Sequence, residues 1–130
     1  MQVVVDTSVI MAVLAREPSR KRLIEATASM AFVAPSSLHW ELGNALTARM
    51  KRGKATLEMV QGMLRDYTTI PIRRAEVALE HVLDVAAAEN LYAYDAYMIA
   101  CAQKYRLPLL TLDAQLARAA AAANVSLLDW

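Results

Sequence analysis

Short apolar runs alternate with longer stretches of helical period from one end of the chain to the other. Val3–Val5, Ala31–Ala34, Ile70–Ile72, Leu109–Thr111 and Ser126–Leu128 have the length and aliphatic character of strands. Val9–Leu14, Arg20–Thr27, Leu38–Lys51, Leu57–Tyr67, Glu76–Glu89, Asp95–Tyr105 and Gln115–Ala123 repeat their apolar positions at helical spacing. Alternation of this kind predicts an α/β fold with a central parallel five-stranded sheet covered by helices on both faces. The breakers agree. Pro18, Pro35, Pro71 and Pro108 fall between elements, and Gly53 follows a helix end. The alanine run Ala119–Ala123 belongs to a late helix, and no repeat, linker or composition shift divides residues 1–130.

Four carboxylates break this pattern. Asp6 ends Val3-Val4-Val5, Asp113 follows Leu109-Leu110-Thr111-Leu112, and Asp95 opens the apolar segment from Ala96 to Ala102. Glu41 falls on the face of Leu38, Leu42, Ala45 and Leu46, where an unpaired charge costs several kcal/mol, on the order of ~3–5. In an open parallel sheet the C-terminal strand ends and the starts of the following helices share one edge, where ligands bind. All four acids can therefore converge there, although no two are neighbours in sequence. Carboxylates that share a site repel one another, and a hard divalent cation, with its preference for oxygen, is the simplest partner.

Each acid also has an ordinary structural role open to it. Asp95 could cap a helix, Asp6 and Asp113 could close turns after strands, and Glu41 could sit in an ion pair. A single cause covers all four more simply. Thr7, Ser8 and Thr111 flank the aspartates and could hold metal-bound water or cap backbone. Asn44 shares the Glu41 face, one turn on. His39 and His81 lack any partner at metal-ligand spacing, and no Ser-His-Asp or Cys-His arrangement is evident, so packing or interface roles suit them. Gly43, inside a helix, permits close approach of another helix or of substrate near Glu41.

Composition adds two points. A hydrophobic content of 57% exceeds the roughly 45–50% of ordinary domains, which predicts helices buried on both sides or a surface covered by another protein. No apolar run reaches the roughly 18–20 residues of a membrane span, and the first residues lack the pattern of a secretory signal. The net charge of +1 gives no global signal for nucleic acid, but basic residues cluster at Arg20–Arg22, at Arg49, Lys51, Arg52 and Lys54, and at Arg73–Arg74. The single Cys101 reads as a small buried hydrophobe in a reducing, cytoplasmic compartment.

In this order, these residues resemble the motifs of the PIN-domain ribonucleases, and among them the VapC-type toxins of toxin–antitoxin pairs. Val5-Asp6-Thr7-Ser8 resembles the first motif and Trp40-Glu41-Leu42-Gly43-Asn44-Ala45-Leu46 the second. Tyr94-Asp95-Ala96 through Leu110-Thr111-Leu112-Asp113 resembles the third and fourth. The resemblance implies a three-layer PIN sandwich and a metal-dependent endoribonuclease. Asp6, Glu41, Asp95 and Asp113 would hold Mg²⁺ or Mn²⁺, with Thr7, Ser8, Asn44 and Thr111 in support and Gln115 a further polar candidate. It also implies a homodimer with both sites on one groove, and a small antitoxin whose basic residue enters the acids.

Other readings remain open at this point. The residues alone admit DNA as substrate, as in a structure-specific nuclease. A catalytically silent PIN-like scaffold could use the fold for binding only. A receiver-type phosphoryl-transfer domain would carry an acidic pair near the first strand and a lysine after the last, and here Asp6 stands alone and no lysine follows Lys104.

Overall fold

A computed structural model describes residues 1–130. In chain order the elements are β1 (Gln2–Val5), α1 (Thr7–Leu14), α2 (Arg20–Thr27), β2 (Ala31–Pro35), α3 (Ser37–Lys51), α4 (Leu57–Thr68), β3 (Ile72–Ala75), α5 (Leu79–Glu89), α6 (Ala93–Tyr105), β4 (Leu109–Leu110) and α7 (Ala114–Ala122). The strands form a parallel sheet in the order β3-β2-β1-β4. The chain steps outward from β1 to β3 and then returns across the sheet to β4. With right-handed crossovers, that reversal puts α1 to α4 on one face and α5 and α6 on the other. It also makes the gap between β1 and β4 the topological switch point, where ligands of open α/β sheets bind.

The core explains the unbroken apolar runs. Val3, Val4, Val5, Val33, Ala34, Leu109 and Leu110 are all fully buried, as strands covered on both faces must be. α6 crosses the sheet against β1, β2 and β4. Met98, Ile99, Ala100, Cys101 and Ala102 are buried in succession, so this helix is covered on every side. That accounts for much of the high hydrophobic content. Cys101 is a buried, unpaired thiol, as its setting predicted.

The sheet has four strands rather than five. Ser126–Leu128 is reduced to one parallel bridge, Leu109 with Leu127, made by Leu109 N donating to Ser126 O and Leu128 N to Leu109 O. The ladder cannot lengthen because β4 is two residues long, preceded by Pro108 and followed by a turn in which Leu112 N donates to Ser8 Oγ. β3 begins later than the apolar run Ile70–Ile72 suggests and continues through Arg73 and Arg74. As an edge strand it tolerates exposed charge. α5 starts at Leu79 rather than Glu76, after an extended Ala78. Gly43 meets nothing within 4 Å of where a Cβ would stand, so no other helix of the chain packs closely against it.

Candidate active site

Strand register brings the acids to one edge. Val4 pairs with Leu109 and Val5 with Leu110, which puts Asp6 level with Thr111. Val4 also pairs with Val33, so Asp6 is level with Pro35, and α3 begins two residues later. Glu41 lies one turn into α3. α3 and α6 touch directly, and α6 carries Asp95 at its third position.

Asp6 and Asp113 each double as a helix cap. Asp6 is the N-cap of α1 and is only 4% exposed. Its Oδ2 accepts from Ser8 Oγ at 2.6 Å, from Thr111 Oγ1 at 2.7 Å and from Ser8 N at 3.4 Å. Asp113 caps α7, its Oδ1 accepting from Gln115 N and Leu116 N at 2.9 and 3.2 Å. In both residues these bonds hold one carboxyl oxygen and leave the other for a further partner. Thr111 Oγ1 also accepts from Asp113 N at 3.0 Å, while its bond to Asp6 and that of Leu112 N to Ser8 Oγ tie the loops after β1 and β4 together. Asp95 is not a cap, since α6 starts at Ala93 with Tyr92 before it.

Electrostatics couple the four groups. Burial in the first place, and then the charges of Asp6, Asp95 and Asp113, push the Glu41 carboxyl above the usual carboxylate range, while the Thr7 hydroxyl draws it partly back. Burial and then Asp113 and Asp6 push Asp95 up in the same way. No cationic side chain figures among the groups acting on either acid. The ion-pair explanation of Glu41 therefore fails, and the repulsion is left uncompensated by the protein. As the side chains stand, no three of the acids are close enough to grip one ion together. They sense one another through their charges.

Thr7 differs from its neighbours. The Ser8 and Thr111 hydroxyls are engaged by Asp6, but Thr7 Oγ1 is buried without a well-formed hydrogen bond, although it is close enough to Glu41 to draw that carboxyl's pKa down. Buried hydroxyls are seldom left unpaired, and one beside a carboxylate marks a place for a bound water or ligand. The sequence does not rank the three hydroxyls, because Thr111 meets Asp6 and Ser8 only across more than a hundred positions of chain. Asn44 and Gln115 are exposed and make no side-chain bond to the acids. His39 is exposed beside Arg74, and His81 bonds Gln103 at 2.8 Å, so neither histidine joins the site.

A sequence profile of the PIN domain matches residues 3–122. This chain is a member of the PIN domain family. Among curated proteins, the PIN domain described here is 31% identical over 119 residues to Ribonuclease VapC3 of Mycobacterium tuberculosis, in two strains, covering 91% of this chain and 87% of the relative. Among solved structures it superposes on PAE2754 from Pyrobaculum aerophilum with a TM-score of 0.67 at 25% identity, over 92% of this chain and 87% of that one. It also superposes on the VapBC2 structure from Rickettsia felis bound to a DNA fragment from the promoter. That match has a TM-score of 0.70 at 14% identity and covers 100% and 99% of the two chains. The PIN domain's expected α/β sandwich is thus borne out, with the fifth strand as the correction.

Proposed function

We propose that this PIN domain is a divalent-metal-dependent endoribonuclease and the toxin of a toxin–antitoxin pair. The observation that carries the reading is the convergence of Asp6, Glu41, Asp95 and Asp113 on the switch-point edge, with Glu41 and Asp95 raised by burial and mutual repulsion and no protein cation opposing them. The donor set is oxygen only, which suits Mg²⁺ or Mn²⁺ and disfavours zinc. Kinship with Ribonuclease VapC3 supports RNA as the substrate and the toxin role.

When bound, such a cation neutralises charge on the scissile phosphate and brings water towards deprotonation at neutral pH. The chain's own residues prepare for it. Ser8 and Thr111 fix the Asp6 carboxylate in one rotamer, and the Asp113 bonds to the start of α7 fix another. Glu41 and Asp95, half-buried, would complete the oxygen set with a small side-chain rotation. The unpartnered Thr7 hydroxyl would orient a water beside Glu41.

The antitoxin half of the reading is supported by a second feature. α1, α2 and the starts of β2 and β3 line a groove of ≈970 Å³, mostly apolar, with Arg16, Arg20 and Arg73 among its lining residues. Such a groove suits the apolar face of an amphipathic segment. Ten large apolar side chains, among them Trp40 at 61% exposed, also stand in solvent, which supports a homodimer. No helix is long and apolar enough to cross a membrane, and a cytoplasmic site of action accords with the free thiol of Cys101.

Matched single-stranded RNA and DNA oligonucleotides, offered with Mn²⁺ after chelation, test the substrate. Cleavage of RNA alone is expected. Cleavage of DNA alone would favour a structure-specific nuclease, and cleavage of neither would favour a binding scaffold. Induction of the chain should stop growth, and co-expression of a small neighbouring gene product should relieve it.

A further inference from the structure

We propose that the basic C-terminal end of α3 is a docking track for the RNA backbone on one side of the scissile phosphate. The inference rests on the ribonuclease reading above and adds where the substrate lies. A line of residues along α3 starts at half-buried Glu41 in the acidic site and becomes exposed and cationic at its far end. Glu41, Asn44, Ala48 and Lys51 follow at helical spacing, with Arg52 beside Lys51 and Lys54 just beyond the helix end. From Glu41 to Arg52 is eleven residues, or about 16 Å of helix, the span of a few nucleotides. No Asp or Glu occurs between Glu41 and Glu58, so Arg49, Lys51, Arg52 and Lys54 have no carboxylate within three residues in sequence.

The ordinary explanation for cations here is that they satisfy the last carbonyls and the dipole of α3. The backbone has already done the first of these. Gly53, at φ +70°, takes the left-handed position after the helix; its N–H donates to Met50 O, and Lys54 N donates to Arg49 O. This pair of bonds closes the helix without any side chain. It also fixes the backbone that carries Lys51, Arg52 and Lys54, so their charges are presented on a rigid corner.

These side chains are uncommitted, unlike the arginines of the other two basic clusters. Arg20 donates to Val13 O, Arg22 reaches Trp130 O and lies over its ring, Arg73 lies over Tyr105, and Arg74 meets His39. Lys51, Arg52 and Lys54 are exposed and make no side-chain hydrogen bond, and Arg49 has its Nε buried without a partner. A rigid, unneutralised row of cations leading from a phosphodiester-cleaving site is suited to phosphate contacts that position a strand without reading its bases.

The test compares two triple variants of the full chain. One combines Lys51→Ala, Arg52→Ala and Lys54→Ala. The other combines Lys21→Ala, Arg65→Ala and Arg118→Ala, three exposed cations off this line, and has the same net charge. Binding of a fluorescent single-stranded RNA of mixed sequence is followed by anisotropy in chelator between 50 and 200 mM salt. Each lost phosphate contact lowers the salt slope by roughly 0.7, so three lower it by about 2, and the change in Kd across that range shrinks by about 20-fold. The track variant should show this and the control should not. With Mn²⁺, the track variant should raise KM for RNA and keep kcat.

Equal slopes in the two variants would overturn the proposal. So would a track variant that binds RNA normally but loses its antitoxin, which would assign the cluster to a protein interface. RNA that binds through the track but is never cleaved would instead defeat the ribonuclease reading and leave the track standing.

Discussion

Thr7 and Thr111 are both threonines at the acidic edge, yet the structure predicts that replacing each by valine will move stability in opposite directions. Thr111 Oγ1 donates to the Asp6 carboxylate at 2.7 Å, a charge-assisted bond of about 1.5–3 kcal/mol. Valine keeps the shape and removes the donor, so Thr111→Val should destabilise the protein by about 2 kcal/mol. At roughly 2.1 cal/mol/K of unfolding entropy per residue, 130 residues give about 0.27 kcal/mol per degree, and the melting temperature should fall by about 7 °C. Thr7 Oγ1 is buried with no partner, and its desolvation is a standing penalty of about 1–3 kcal/mol. Its pull on Glu41, the largest influence on that carboxyl after burial, offsets part of that. Thr7→Val should therefore stabilise the metal-free protein by about 1 kcal/mol, a rise of about 4 °C.

Calorimetry at pH 7 in chelator measures both shifts, and single-turnover cleavage supplies the second axis. Both variants should lose activity, by about 10- to 100-fold, as expected for residues that orient ligands or bound water. Thr111→Val would do so by loosening Asp6, and Thr7→Val by removing the hydroxyl beside Glu41. A fall in melting temperature for Thr7→Val would refute the reasoning, because it would mean that the hydroxyl is satisfied in the folded protein. Full activity from the same variant would remove Thr7 from the site.

Glu41 and Asp95 bind a proton more tightly folded than unfolded, so the metal-free protein should gain stability as pH falls from 7 through their raised folded values, the gain saturating below the ordinary carboxylate range. By the same sign, Glu41→Gln and Asp95→Asn should each raise the metal-free melting temperature at pH 7 while abolishing cleavage, and unchanged or lowered melting temperatures in both would contradict the repulsion. Burial pushes the Cys101 thiol up to about 11, so at pH 8 the folded protein should resist alkylation and react only when denatured, as mass spectrometry would report. Trp40→Glu, at an exposed position, should leave the melting temperature nearly unchanged but shift sedimentation from dimer to monomer, and a dimer that survives would place the interface elsewhere.

The sequence made the site legible through its misfits. Aspartates directly after apolar runs and a glutamate in an apolar helical stripe are visible without coordinates, and the strand-end rule brings them together. The length of the edge strands was not legible. Ile70–Ile72 reads as a strand because it is apolar, but Ile70 closes the preceding helix, its N–H donating to Tyr67 O, and the strand continues through two arginines. Likewise Ser126–Leu128 has strand character, but pairing needs a neighbour, and β4 offers only Leu109. The ranking of Thr7, Ser8 and Thr111 was hidden for the same reason. Hydrogen-bond partners are a property of the fold, and here they join residues at opposite ends of the chain.

The central claim is that the four acids form one cation site, and a single titration addresses it most directly. Wild-type protein and Asp95→Asn, both stripped with chelator, are melted across a series of Mg²⁺ or Mn²⁺ concentrations, with RNA cleavage read on the same samples. If the acids act as one site, the wild-type protein should be inactive without metal and regain cleavage as its melting temperature climbs. The gain should be about 2.7 kcal/mol, or roughly 10 °C, at a hundredfold excess over Kd, and Asp95→Asn should respond far less in both readouts. Full cleavage in chelator, or a wild-type melting temperature blind to metal at concentrations that support cleavage, would contradict the account.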